Sequence, residues 1–376
     1  MEHTVDKTEL KIENVIALFH REAPLACRVE EIRQEEKDAR YVAYLDFPEG
    51  KFVLKLAANG FTTAARVEGW ARLIAAYGEM GCYSPAMRKS LQGNYAERIQ
   101  HAGRTFVAWE EEYAKYPFPA QVEHRPVNGA GSRYVYQDEA IAFYGRVAQA
   151  RLKGGWGSSG WVRLAPFGAD EETDEIMGCV AEFDGLVKAL APQFMGRWEK
   201  VLGRFHENRK ALGRIYPKLP TSVFQGDWGS QNLLVDESGH FKGMIDYNLA
   251  GEDTALNMCI SMSLFGFGDP TDMAERMWEG ANPPGALPWM NARADGLRTE
   301  TMLEKIRLFG RHYAFSPLEA EAAPLLYRYI VPIEYTQISA LRENSADRGK
   351  LSELFDFMEH ALTREDIDFK GAMLGC

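Results

Sequence analysis

Residues 221–251 constrain this chain more than any other stretch. They read Thr-Ser-Val-Phe-Gln-Gly-Asp-Trp-Gly-Ser-Gln-Asn-Leu-Leu-Val-Asp-Glu-Ser-Gly-His-Phe-Lys-Gly-Met-Ile-Asp-Tyr-Asn-Leu-Ala-Gly. Asp227 and Asn232 are separated by four residues. Leu233, Leu234 and Val235 then make a short apolar run, and Asp236, Glu237, Ser238 and Gly239 supply turn chemistry. A second apolar run, Gly243, Met244 and Ile245, ends at Asp246. The pattern predicts a β-hairpin. Asn232 opens one strand and Asp246 closes the other, which brings two oxygen ligands to one edge with Asp227 just before them.

Phosphoryl transfer from ATP calls for such a set. Mg²⁺ is a hard ion that takes carboxylate and amide oxygens together with phosphate oxygens. A further carboxylate must orient the attacking hydroxyl and accept its proton. In kinases these roles fall to a loop Asp, an Asn beyond it, and a second Asp after a hairpin. An ordinary hairpin with acidic ends is the competing reading, and the length and order of the motif weigh against it.

The stretch resembles the aminoglycoside phosphotransferase and choline kinase-like family, small-molecule kinases with a protein-kinase-like fold. The family pattern is His-Gly-Asp, four residues, Asn, then Ile-Asp-aromatic, two residues and Ala-Gly. Here it is Gln225-Gly226-Asp227, Asn232 and Ile245-Asp246-Tyr247-Asn248-Leu249-Ala250-Gly251. The departure is Gln225, where the family has His as a brace for the loop; a Gln amide still donates and accepts. The resemblance implies an α+β, two-lobed fold: a small antiparallel β lobe over residues 1–108, a hinge over 109–116, and a large, mainly helical lobe over 117–376. It implies Asp227 as the base, Asn232 and Asp246 as Mg²⁺ ligands, and ATP as the phosphoryl donor.

The first hundred residues suit the small lobe. Residues 26–34 form a candidate strand. Residues 40–47 alternate aromatic and β-branched residues as strands do. Pro48-Glu49-Gly50 is a turn, and 51–56 reads as the next strand of an antiparallel meander. Lys55 lies at the end of Phe52-Val53-Leu54, where a kinase keeps its phosphate-binding lysine. Alone, it reads equally as an edge-strand lysine that discourages aggregation; the later motif favours the phosphate role. Thr62 or Thr63 caps a following helix with Val67, Ala71 and Ile74 on its apolar stripe. The resemblance implies a Lys55–Glu68 ion pair. A kinase covers the phosphates with a Gly-rich loop between its first two strands. The corresponding residues 35–39, Glu-Glu-Lys-Asp-Ala, hold no glycine. Their carboxylates predict mutual repulsion and a mobile loop, offset in part by Lys37 and Arg40.

Residues 104–109 predict a strand leading into the hinge. By position, Trp109 and Glu110 fall where the fold binds adenine, although a tryptophan there is more often plain core. Residues 117–133 read as a long loop, 138–152 as a helix, and 153–161 as a plain connector, with a flexible substrate-facing loop the alternative. Residues 171–192 and 194–214 read as two amphipathic helices. Residues 278–297, with Trp278, Pro283, Pro284, Pro288 and Trp289, read as a loop. Helices follow over 299–313, 317–343 with a kink at Pro332, and 348–363. Gly251-Glu252-Asp253 continues an acidic region, and Asn257 stands near a place where the family has a bracing Asp.

Composition narrows the partners. The 376 residues are 46% hydrophobic and carry a net charge of −11. The acidity argues against nucleic acid and suits a cationic, hydroxylated small molecule. Glu319, Glu321, Glu334 and Asp356 are candidates to line such a site, with solvated helix faces the competing reading. The acceptor stays open among amino-sugars, choline-like alcohols, sugars and homoserine-like metabolites. A non-catalytic protein that keeps the fold is the alternative of a different class. Five scattered cysteines predict neither zinc nor a disulfide framework. The polar N-terminus predicts no signal peptide, and no apolar stretch is long enough to span a bilayer. The expected setting is the cytoplasm.

Overall fold

The computed structural model describes residues 11–35, 37–123, 127, 134–154, 174–265, 285–287 and 290–375. The chain divides into two compact units. One is Met1–Pro117 with Lys242–Asn248; the other is Phe118–Phe241 with Leu249–Cys376.

The first unit is built on an antiparallel sheet. Its elements are α1 (Ile12–Phe19), β1 (Ala26–Gln34), β2 (Ala39–Phe47), β3 (Gly50–Ala58), α2 (Ala64–Glu79), β4 (Met87–Arg88), β5 (Glu97–His101) and β6 (Arg104–Glu112). The sheet order is β1-β2-β3-β6-β4, with β5 also paired to β6. The predicted three-strand meander is present, with each strand within a residue or two of its expected bounds. Alternation explains its burial: Ala39, Tyr41, Ala43, Leu45 and Phe47 of β2 all face inward. Ile12, Val15, Ile16 and Phe19 place one face of α1 in the same core. Fully burying a side chain such as Phe19 contributes about 2 kcal/mol. Thr63 caps α2, its hydroxyl oxygen accepting from the Arg66 amide at 3.2 Å.

The glycine-free turn between β1 and β2 is closed rather than splayed. The Glu35 amide donates to the Asp38 carbonyl at 2.9 Å, and the Asp38 amide returns to the Glu35 carbonyl at 3.3 Å. Arg40 holds the Asp38 carboxylate with two bonds, 2.8 and 2.7 Å long. The Asn59 amide adds a third at 3.1 Å. The expected carboxylate repulsion is therefore met at Asp38 by Arg40, and these contacts hold the Asp38 carboxyl below its ordinary value against the opposing effect of burial.

Segment Lys242–Asn248 joins this unit through its backbone. The Tyr83 amide donates to the Lys242 carbonyl at 2.8 Å, and the Met244 amide donates to the Tyr83 carbonyl at 3.0 Å. Gly243 permits this approach, since a Cβ there would lie 1.7 Å from the Tyr83 carbonyl oxygen. Tyr247 continues the attachment, with its hydroxyl 2.6 Å from the Ser84 hydroxyl and its ring edge-on to Tyr77.

The second unit is mainly helical. Its longer helices include Val135–Ala150, Glu175–Leu190, Met195–Ile215, Ala255–Phe265, Ala292–Gly310, Pro317–Ile330, Tyr335–Glu343 and Arg348–Thr363. A small antiparallel pair, Thr221–Phe224 with Gly251–Thr254, lies among them. Two sequence readings need correction. The helix expected over 299–313 begins at Ala292, because Asn291 caps it by accepting from the Arg293 and Ala294 amides. The helix expected over 317–343 is two helices, Pro317–Ile330 and Tyr335–Glu343. Pro332 ends regular helix there instead of kinking it, as the loss of a donor and the ring clash favour. Trp156, Trp161, Trp278, Pro283, Pro284, Pro288 and Trp289 lie outside the described residues. No helix among the described residues is long and apolar enough to cross a membrane. Cys27, Cys82, Cys179 and Cys259 are free thiols.

Gly243→Ala is expected to destabilise the protein by on the order of 3 kcal/mol, because the methyl meets rigid backbone and not a side chain that can swing away. Chemical denaturation checks this, and a wild-type midpoint would show that the Tyr83–Gly243 bridge does not hold the segment.

Candidate active site

The Asp227 loop begins where a strand ends. Phe224 pairs with Gly251, and Gly226 then turns the chain with φ +88°, a conformation that glycine adopts without strain. Gln225 between them is fully buried. Its side-chain oxygen accepts from the Asp227 amide at 2.8 Å and from the Tyr144 hydroxyl at 3.3 Å. The amide thus braces the loop from inside, as the sequence reading expected of it. Asn232 closes the short turn Ser230–Asn232 and is buried. Its side-chain nitrogen donates to the Asp227 carbonyl at 3.2 Å, which commits that end of the amide.

The strands Leu233–Val235 and Phe241–Met244 follow at the expected places. The turn between them is closed by the Asp236 amide on the His240 carbonyl at 2.9 Å. Asp236 also accepts from the amides of Ser238 and His240. Glu139 fixes the far end, accepting from the His240 ring at 2.8 Å and from the Phe241 amide at 2.7 Å. Under the Gly251–Thr254 strand, buried Asp253 accepts from the Tyr216 hydroxyl at 2.9 Å and from the Asn257 amide at 2.6 Å. Asn257 therefore braces structure through Asp253.

In the other unit the sheet positions Lys55. Its ammonium lies 2.6 Å from the Glu111 carboxylate, and both side chains are mostly buried. Burial opposes the ammonium charge. Attraction to Glu111, then to Asp246, overcomes it and raises Lys55 above its ordinary value. Asp246 itself has φ +57°, in the left-handed region that non-glycine residues avoid.

Three sequence-predicted residues stand elsewhere than expected. Glu68 does not pair with Lys55; its carboxylate accepts from the Tyr95 amide at 3.2 Å. Trp109 is buried edge-on against Trp70 of α2, with ring centroids 5.3 Å apart. Glu110 is fully buried, and its carboxyl oxygens lie 2.8 and 2.9 Å from the His20 ring nitrogen. The cause is that β6 runs on to Glu112, past the position where the hinge was expected to begin. Alternation along that strand sends Glu110 and Glu111 to opposite faces. Sequence reading missed Glu111 for the same reason. Extending the strand pattern through 112 separates the two carboxylates and puts Glu111 on the face of Lys55.

Among the described residues, no group of three or more His, Cys, Asp and Glu side chains gathers as a metal cage. A magnesium–nucleotide site does not need one, since phosphates and water supply most ligands. Asp246 offers a carboxylate, a donor type that suits a hard cation. The structure thus brings Lys55 together with Glu111 and Asp246, and Asp227 together with Asn232 and Gln225.

No family model matches the sequence, and no curated protein matches it. Solved structures do match. The chain is similar to the amicoumacin kinase hAmiN, solved in complex with AMP-PNP and Ca²⁺, at 13% identity and a TM-score of 0.51 over 96% of both chains. It is also similar to a microcompartment-associated aminopropanol kinase, at 10% identity and a TM-score of 0.53, over 93% of this chain and 94% of that one. The class these likenesses define is the α+β, protein-kinase-like fold. Within that class, the chain has the form found in these small-molecule kinases, which is the fold that the resemblance in residues 221–251 implied.

The His20–Glu110 pair makes stability depend on pH. Burial is the main cause on both sides, raising Glu110 from 4.5 to about 7 and lowering His20 from 6.5 to about 4. Arg88 opposes the rise at Glu110 and deepens the fall at His20, and Glu49 acts the other way on each. The raised Glu110 contributes stability that is full below pH 4.5 and lost as pH rises through about 7. The lowered His20 contributes stability present above pH 6.5 and lost as pH falls through about 4. Glu110→Gln keeps a neutral donor and removes the titration. The variant is expected to gain on wild type by on the order of 1–2 kcal/mol between pH 5 and pH 8. Urea denaturation at both values checks this; a constant difference would remove Glu110 as the titrating group.

Proposed function

We propose that this protein is an enzyme that transfers the γ-phosphoryl group of ATP to a hydroxyl of a small molecule. The observation that carries the reading is the convergence of Lys55 and Asp246, distant in sequence, within one compact unit, with Asp246 in a left-handed conformation. Residues held in sparsely populated backbone regions cluster at functional sites.

In this reading Asp227 accepts the proton of the acceptor hydroxyl as its oxygen attacks the γ-phosphorus. The bond from that phosphorus to the bridging oxygen breaks, and ADP carries the electron pair away. The Gln225 bond to the Asp227 amide fixes the loop from which the base acts. Lys55 sets a positive charge against the phosphates and orients them. Asn232 and Asp246 would hold Mg²⁺, which when bound neutralises the charge of the β- and γ-phosphate oxygens. Trp109 and Glu110 carry no nucleotide contact in this proposal, since the first packs on Trp70 and the second on His20.

The acceptor class we favour is a hydroxylated amine, an aminoglycoside-like or other amino-sugar among them. Support comes from the net charge of −11 and from a structural relative that is by name an aminopropanol kinase. Glu319 does not serve such a site. It is fully buried in a helix cap, accepting from Ser316 and from the Tyr313 hydroxyl. A cytoplasmic setting belongs to the proposal and rests on scattered cysteines, four of them free. A second reading, a kinase-fold protein that binds without turnover, is favoured by the glycine-free turn at 35–39.

The test is a phosphorylation screen with Mg-ATP over a panel of hydroxylated amines. Asp227→Asn keeps the size of the side chain and loses the proton acceptor, so turnover is expected to fall about 10²–10⁴-fold. An unchanged rate would reject Asp227 as the base. Asp246→Ala is expected to abolish the Mg²⁺ dependence of ATP affinity in calorimetry, and metal dependence that survives would reject Asp246 as a ligand. Mg-ATP binding with no turnover on any acceptor would favour the second reading.

A further inference from the structure

Lys55 and Glu111 sit on adjacent strands of one sheet. In the β3–β6 register Lys55 faces Trp109, and Val53 faces Glu111. Residues 109 and 111 share a face, so Glu111 is the diagonal neighbour of Lys55, within reach of two long side chains. The observed 2.6 Å contact uses that reach. Both partners are largely withdrawn from water, at 15% and 11% side-chain exposure. The pair is therefore screened much less than a surface ion pair.

Helix α2 contributes no carboxylate to Lys55. Its Glu68 is bonded to the Tyr95 amide, and its Trp70 is packed against Trp109, the residue across the strand from Lys55. From this arrangement we infer that Glu111 is the positioning residue for the phosphate-binding Lys55. The inference rests on the phosphotransfer reading above and adds a residue and a physical consequence to it. Strand register sets the ammonium, so its position follows the sheet and not the placement of α2. A lysine held this way is aimed before nucleotide arrives, and its rotamer freedom is already restricted.

The experiment is calorimetry of the full chain with Mg-ATP and, separately, with adenosine, on wild type, Lys55→Ala, Glu111→Gln, Glu111→Asp and Glu68→Gln. Adenosine carries no phosphate, so an effect on Lys55 must change the ratio of the two affinities, whereas general damage to the fold changes both. Glu111→Gln is expected to lower the Mg-ATP to adenosine affinity ratio by on the order of 10–10²-fold, the scale of a misplaced binding group. Lys55→Ala is expected to lower it at least as far. Glu111→Asp keeps the charge and shortens the reach, so it falls between wild type and Glu111→Gln. It also gives a readout if the unpaired ammonium of Glu111→Gln prevents folding.

The inference is overturned by a wild-type ratio in both Glu111 variants, by tighter Mg-ATP binding by Glu111→Gln, or by a loss reproduced by Glu68→Gln in place of Glu111→Gln. The second would mean that Glu111 competes with the phosphates for the ammonium. A wild-type protein that binds adenosine and not Mg-ATP would overturn the phosphotransfer reading and this inference together. Wild-type Mg-ATP binding lost in Lys55→Ala but kept in the Glu111 variants would remove the inference alone.

Discussion

The backbone bridge between Tyr83 and Gly243 holds the strand before Asp246 in the same compact unit as Lys55. Two amide-to-carbonyl bonds attach the strand that ends before Asp246 to the sheet unit. Only glycine fits at the crossing, because any side chain would begin inside the Tyr83 carbonyl. The Tyr247–Ser84 bond then fixes the chain just beyond Asp246. Held on both sides, Asp246 is kept at φ +57°, a conformation costing on the order of 1–3 kcal/mol. The surrounding contacts supply the over-determination that such strain needs in order to persist.

Strand β6 shows how one sheet handles adjacent carboxylates in opposite ways. Glu111 faces the Lys55 ammonium at 2.6 Å. Glu110, one residue earlier, lies against His20, whose ring packs on Phe47 and Phe52, and burial favours its neutral form against the Arg88 guanidinium 3.7 Å away. Between about pH 4 and pH 7 the protonated carboxyl donates to the imidazole, which is neutral as well. This avoids the desolvation cost of a buried ion pair, which can exceed the attraction between the charges.

Residues whose roles follow local periodicity were legible in the sequence. The meander of β1, β2 and β3, the Thr63 cap and the turn at 236–239 each follow from alternation, capping or turn chemistry. The loop brace at Gln225 followed from the motif. The helix Ala255–Phe265 went unread because nearly all of it is buried, so no polar face marks a helical period. Helix α1 has only eight residues and no side-chain cap to announce its start. The pairing of Lys55 was misread for a different reason. Glu68 and Glu111 are equivalent to the eye in a linear chain, and only strand register tells which one the ammonium meets. Glu110 shows the same limit, since a one-residue choice of face separates a hinge contact from a core partner of His20.

Gln225 bears on whether a chain with this fold is built for chemistry. A loop brace needs an acceptor for the Asp227 amide and a contact to something rigid. The Gln225 oxygen provides both, through Asp227 and through Tyr144 of the Val135–Ala150 helix. An imidazole brings one acceptor nitrogen in its neutral form, whereas an amide oxygen has two lone pairs and serves both donors at once. Gln225 therefore supplies the mechanical function of a loop brace. The second brace, from the Asn232 amide nitrogen to the Asp227 carbonyl, holds the same stretch of backbone. A loop fixed at both its amide and its carbonyl has little freedom to reorient, so the Asp227 side chain projects from a backbone whose geometry is set before any substrate arrives. The role proposed for Asp227 needs that order, since a general base acts by geometry first and proton affinity second.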